Sequence, residues 1–204
     1  MSHTIYNDYW NRDDGNNKLI LNYPLTKDSW ILELGGYEGW FTEKAVSETE
    51  SNILVLEPIP DFCEKIKYKF TNNDRVKVEC KGISNTRRNT MISVNADASS
   101  EHLDISSNKL EIELYPLEYF LEKYNITKID LAQLNIEGEE YNLLENWISS
   151  GQINLIKYLQ IQFHEIDEKS RDRKKEIEKG LISNGFINKW DYDIVFTSWE
   201  NTKL

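Results

Sequence analysis

The stretch Trp30-Ile31-Leu32-Glu33-Leu34-Gly35-Gly36-Tyr37-Glu38-Gly39-Trp40 decides the fold. A short apolar run stops at a glycine pair, and helix-forming residues take over from Trp40 to Thr49. That pattern is a buried strand, a tight turn and a helix. Asn52 to Glu57 forms a second buried strand, ended by Pro58 and Pro60. Phe62, Ile66 and Phe70 recur every fourth residue, which predicts a helix over Asp61 to Thr71. Val76 to Cys80 alternates as a third strand. Leu110 to Leu114, Ile129 to Ile136 and Lys157 to Phe163 have strand character, and Met91 to Val94 is a weaker candidate. Leu117 to Tyr124, Glu137 to Ser149 and Asp167 to Asn184 have helical character, the last closed by Gly185. Asn95 to Asn108 is polar and is expected to be a long loop. Phe186 to Trp190 and Tyr192 to Thr197 are joined too tightly, near Asp191, to be parallel. Strands alternating with helices predict an α/β, doubly wound, mostly parallel sheet with an antiparallel hairpin at its end.

The chain has 204 residues, with 24 Lys+Arg against 35 Asp+Glu and a formal net charge of -11. Residues 1–28 are expected to form an N-terminal arm, loosely ordered over its first sixteen residues, and 29–204 one domain. Tyr6, Tyr9 and Trp10 are candidates either to dock on the core or to close over a ligand. No apolar run is long enough to span a bilayer, and the first fifteen residues lack signal-peptide character. A cytoplasmic protein without membrane insertion is expected. No basic stripe appears, so no nucleic-acid partner is expected. Cys63 and Cys80 lack the spacing of a structural zinc site and are expected to be two free thiols.

Ligands of such sheets bind at the carboxyl ends of the strands. The first of those ends is Gly35-Gly36-Tyr37-Glu38-Gly39, a glycine turn that lets backbone approach a ligand ahead of a helix N-terminus. It has neither the GxGxxG order of a dinucleotide site nor the GxxxxGK[ST] of a P-loop, which disfavours nicotinamide chemistry and ATP hydrolysis. Glu57 ends the second strand about 20 residues further on, where an acid typically grips ribose hydroxyls. The remaining ends carry Gly82-Ile83-Ser84, Asn135-Ile136-Glu137-Gly138-Glu139 and Gln162-Phe163-His164-Glu165.

The segment Ile31 to Phe41 resembles the first motif of class I S-adenosylmethionine-dependent methyltransferases. More narrowly, the order of segments resembles the FkbM family of O-methyltransferases. The resemblance rests on Glu33 to Thr42, Glu57-Pro58-Ile59-Pro60, Ile83-Ser84-Asn85, Leu114 to Leu121, Gln133 to Glu140 and Gln162-Phe163-His164. Three positions depart from the family pattern: Gln133 replaces a Lys, Asn135 an Asp and Gln162 a Glu. The resemblance implies a Rossmann-like, seven-stranded sheet and S-adenosylmethionine as cofactor. Glu33, Gly35, Tyr37 and Gly39 would shape its pocket, and Trp40 and Phe41 would begin the helix facing it. Glu57 would hold the ribose hydroxyls, Pro58 and Ile59 would pack on adenine, and Ser84 would sit at the adenine edge. Asn135 and Glu137 would lie beside the sulfonium and the acceptor.

An alcohol acceptor needs a general base, and Glu137 and His164 are the candidates, with Asn135 beside them. Glu139 and Glu140 are expected to be solvated first-turn charges. No metal is expected, because the carboxylate supply at Asn135, Glu137 and His164 is thin. The expected activity is O-methylation of a sugar or glycan hydroxyl. The alternatives are another small-metabolite hydroxyl, or a non-catalytic cofactor-binding module of a larger multidomain glycan-building enzyme.

Overall fold

A computed structural model describes residues 2–93 and 109–204; the expected loop over Asn95 to Asn108 lies outside them. The chain opens with α1 (Ser2–Arg12) and α2 (Gly15–Lys18), followed by β1 (Trp30–Leu34), α3 (Trp40–Glu48), β2 (Asn52–Leu56) and α4 (Pro60–Lys69). Next come β3 (Val76–Glu79), β4 (Gly82–Ile83), β5 (Arg88–Ser93), β6 (Lys109–Tyr115) and α5 (Leu117–Tyr124). The last third holds β7 (Ile129–Leu134), α6 (Glu140–Ser150), β8 (Ile156–Ile161), α7 (Ser170–Ser183), β9 (Phe186–Asp191) and β10 (Thr197–Asn201).

Seven strands form one sheet in the order β3-β2-β1-β7-β8-β10-β9. The first five run parallel, and β10 is antiparallel to both β8 and β9. This is the expected architecture. The central strands are near-continuous apolar runs because helices cover both of their faces. One face packs Leu34, Leu56, Phe120, Leu134, Tyr141 and Trp147, and the other packs Ile31, Phe41, Ile53, Ile66 and Leu131.

Two expectations about strands need correction. The segments around Met91 and Leu110 do not join the main sheet; with β4 they form a separate three-stranded sheet, β4-β6-β5, whose inner residues Ile92, Ile112 and Leu114 pack with Ile59. The second hairpin strand begins at Thr197, not at Tyr192. Residues 192–196 form the turn, closed by the Tyr192 N–H on the Phe196 carbonyl, with Asp193 in the left-handed region at φ 55°.

The arm is helical rather than loosely ordered. Trp10 is buried against Trp190, Tyr192 and Phe196 of the terminal hairpin, and Tyr192 Oη donates to Asp13. Burying an indole on three other rings gives this segment the apolar contact that its polar composition hides. A row of polar side chains crosses the sheet beneath the chain that follows: Glu33, Gln133, Gln160 and Ser198 are register partners. Gln160 Nε2 donates to the Ile20 carbonyl and to Tyr23 Oη, each at 2.8 Å, and so fastens residues 20–23 to the sheet.

Cys63 and Cys80 are joined in a disulfide, in place of the two free thiols expected. The topology brings them together. Cys63 lies in α4, and Cys80 directly follows β3, the strand against which α4 packs. Closing a loop with a sequence separation of 17 restricts the unfolded chain by about 3 kcal/mol in the chain-entropy description. Reduction with dithiothreitol is therefore expected to lower the unfolding free energy by about 3 kcal/mol in a urea titration. An unchanged midpoint would remove the cross-link from the native state.

Candidate active site

The carboxyl ends of β1, β2 and β7 enclose a cavity of about 190 Å³. Its lining includes Gly35, Tyr37, Glu57, Pro58, Ile59, Asn135 and Glu137, with Phe62, Ile92 and Ile136 completing the wall. Sequence alone does not single out those last three, because an apolar side chain at a pocket wall has the same signature as one in a core.

The glycine turn is shaped by close backbone approach. Gly35 has φ 84°, and a Cβ there would fall 2.0 Å from the Asn135 carbonyl oxygen, so only glycine fits. The Gly35 N–H donates to Leu56 O, and the Asn135 N–H to Leu34 O, which locks the three strand ends together. Gly39, at φ 80°, caps the N-terminus of α3 and, unlike Gly35 and Tyr37, is outside the cavity lining expected of it.

Among the described residues five non-glycines adopt positive φ. Three are Asp or Asn, which tolerate that region. The other two are Tyr37 at 47° and Glu137 at 54°, and both line the cavity. Such conformations cost of order 1–3 kcal/mol each and persist where the surroundings enforce them. For Tyr37 the enforcement is its N–H bond to Glu57 Oε2 at 2.8 Å and the contact of its ring with Phe62 at 4.6 Å.

Glu57 is buried, and its Oε1 accepts from the Ile59 N–H at 2.8 Å. Burial pushes its carboxyl up to about 7, against the backbone donors at Ile59, Tyr37 and Gly36. Glu33 does not line the cavity. Its carboxyl lies under the turn, where Thr42 Oγ1 donates to it at 2.5 Å, and burial pushes it up to about 8. The charged ligand edge expected of Glu33 is thus a buried brace for the first turn of α3.

Trp40 and Phe41 begin α3, but Phe41 is a core residue and Trp40 is half exposed; neither lines the pocket. Ser84 is buried, with its hydroxyl donating to Thr86 O at 2.6 Å, and it too is outside the lining. Asn135 lines the cavity with its Oδ1 buried and without a hydrogen-bond partner among the described residues.

The expectation for Glu140 is overturned. It is fully buried, not solvated. Its Oε1 accepts from the Ile136 N–H at 2.9 Å and its Oε2 from the Gly138 N–H at 2.8 Å. The same carboxylate meets His164 Nδ1 at 2.8 Å, while His164 Nε2 lies 3.4 Å from Glu137 Oε1. Burial alone would lower the imidazole, but the carboxylates of Glu137 and Glu140 outweigh it and push His164 up to about 10. At neutral pH the ring is an imidazolium held between two acids. A ring already charged has no free nitrogen with which to take up a further proton. Asn135 and Glu137 line the cavity, and His164 lies outside the lining, behind Glu137.

A family model described as the methyltransferase FkbM domain matches residues 31–190. The chain belongs to the FkbM methyltransferase family. Membership carries the reaction class and cofactor: this is an S-adenosylmethionine-dependent methyltransferase domain. The fold is shared with a proposed rRNA methylase from Clostridium thermocellum at 12% identity and a TM-score of 0.55, over 98% of this chain and 94% of that one. It is shared also with a proposed methyltransferase from Streptococcus mutans solved in complex with SAH, at 12% identity and a TM-score of 0.50, over 86% of this chain and 90% of that one. No curated protein matches the chain. The pocket chemistry suits the FkbM cofactor. Glu57 and the unpartnered Asn135 Oδ1 are acceptors for hydroxyl and ammonium donors, beside apolar walls wide enough for a ring.

Glu33 supplies a test of the buried brace. Its carboxyl is raised in the fold, so folding favours the protonated form, and the stability this contributes is present below about 4.5 and lost as pH rises to about 8. The Glu33→Gln variant keeps an acceptor for Thr42 without the ionisation. Its stability relative to wild type is expected to grow across that window and level off above it, measured by urea melts at several pH values. A constant difference would contradict the burial of an ionisable Glu33.

Proposed function

We propose that this FkbM domain methylates a hydroxyl of a sugar or glycan, with Glu137 as general base. The observation that carries the reading is the Glu137–His164–Glu140 chain at the cavity: it leaves one carboxylate on the lining, next to Asn135, and holds the histidine charged behind it. S-adenosylmethionine supplies a methyl already activated on a sulfonium. The protein must align that methyl with the acceptor oxygen and take up the hydroxyl proton. A hydroxyl needs that base because its own pKa lies far above neutrality.

In this reading Glu57 accepts from the ribose hydroxyls, whose donors find its remaining lone pairs. Pro58, Ile59, Phe62 and Ile92 give the adenine an apolar slot. Asn135 Oδ1 would take the cofactor's ammonium donor. Glu137 receives the proton as the carbon–oxygen bond forms, with His164 Nε2 lying 3.4 Å behind it. Neutral Gln133 and Asn135, where the family pattern has Lys and Asp, leave Glu137 as the carboxylate at the acceptor end of this strand. The sugar class rests on the family resemblance and on the polar character of the segments at this edge.

The Glu137→Gln variant removes the base and leaves the volume. Its kcat is expected to fall by roughly 10²–10⁴, the usual contribution of a positioned general base, with the affinity for S-adenosylhomocysteine unchanged. The measurement is mass detection of the methylated product across a panel of sugar and non-sugar hydroxyl acceptors. Full turnover by the variant would rule Glu137 out as the base, and turnover confined to non-sugar acceptors would overturn the sugar class.

A further inference from the structure

The Cys63–Cys80 disulfide lies against the cofactor pocket, and its surroundings give it more than a stabilising part. Cys63 sits in the first turn of α4, with its N–H bonded to the Ile59 carbonyl at 2.9 Å. Ile59 and Phe62, on the same turn, line the cavity, and the Ile59 N–H bonds to the Glu57 carboxylate. On the other side of the bond, Cys80 follows Glu79, whose carbonyl accepts from the Glu57 N–H at 3.1 Å. The bridge thus joins the two segments that hold Glu57, one through its side chain and one through its backbone.

The other ties across this wall are weaker. Lys65 to Glu38 and Lys69 to Glu43 are exposed ion pairs, and such pairs contribute little. Ile66 anchors the middle of α4 in the core, so the helix stays in place without the bridge. Its first turn rests on a smaller cluster, Ile59 with Ile92, Ile112 and Leu114 of the separate three-stranded sheet, and on the contact of Phe62 with Tyr37. The two sulfurs also differ in access, since Cys63 is fully buried and Cys80 only half-buried.

We propose that the Cys63–Cys80 disulfide is a redox clamp on the pocket wall that sets cofactor affinity. The inference rests on the methyltransferase assignment and is independent of the acceptor. A dithiol reductant opens the clamp. Its first thiolate attacks the accessible Cys80 Sγ, the Cys63–Cys80 bond breaks, and Cys63 leaves as a thiolate and takes a proton. The second thiol of the reductant then attacks its own sulfur in the mixed disulfide and releases Cys80. Two electrons and two protons pass to the protein, and the dithiol ends as a disulfide. The freed first turn of α4 samples positions in which Ile59 no longer holds the Glu57 carboxylate, so only a fraction of molecules keeps the binding-competent wall.

The test is calorimetric titration of S-adenosylhomocysteine into the oxidised full chain and into the same protein held in dithiothreitol. Circular dichroism verifies that both forms are folded. If the competent fraction falls to about one tenth, Kd rises on the order of tenfold in the reduced form. The Cys80→Ser variant is expected to show the weaker value whether or not dithiothreitol is present. Equal affinity of the oxidised and reduced wild type would overturn the clamp and leave the cofactor assignment standing. Absence of binding in both forms would overturn the assignment and the clamp with it.

Discussion

The carboxylate of Glu140 is the constraint on which the acceptor end of the site depends. It is buried, and burying an ionised acid is costly unless every lone pair finds a partner. Here the partners are the Ile136 and Gly138 N–H groups and the His164 imidazolium. These bonds fix the turn between β7 and α6. With the turn fixed, Glu137 has no choice but the left-handed region, and its side chain reaches the cavity. The histidine is held charged because two acids face it, one on each ring nitrogen. Removing His164 would leave the buried Glu140 with its two backbone donors alone.

The cofactor end is held by a different means. Gly35 and Asn135 approach backbone to backbone, so the ends of β1 and β7 form one surface. Glu57 then spans from β2 to the turn at Tyr37 and to the start of α4 at Ile59. A carboxylate tied to two backbone donors is rigid before any ligand arrives, and pre-organisation of this kind reduces the cost of binding. Both ends of the pocket are therefore organised by a buried acid that accepts from backbone N–H groups.

Much of this was legible in the sequence, and the parts that were not have a common cause. The strand–turn–helix order and the parallel sheet follow from the apolar runs at Trp30, Asn52 and Ile129 and their glycine or proline ends. Glu57, Asn135 and Glu137 follow from their position at strand ends. That Glu140 is buried is not legible there, because an acid in the first turn of a helix has the same signature whether solvated or buried; only the approach of α6 to the segment after β8, where His164 lies, decides it. The role of Glu33 was missed for the same reason, since strand periodicity does not say which side of a turn an acid serves. The Cys63–Cys80 bond depends on α4 packing against β3, a contact that spacing alone does not reveal. Trp10 gave a hint of docking, but its partners lie about the whole chain away, at Trp190 to Phe196.

The protonation state of His164 tests the central claim most directly, because it reports on both acids at once. Titration of its ring carbons by NMR is expected to show a single transition near pH 10, with the imidazolium intact at neutral pH. A transition near its ordinary 6.5 would mean that Glu137 and Glu140 do not face the ring as described, and that histidine, not Glu137, is free to act as the base.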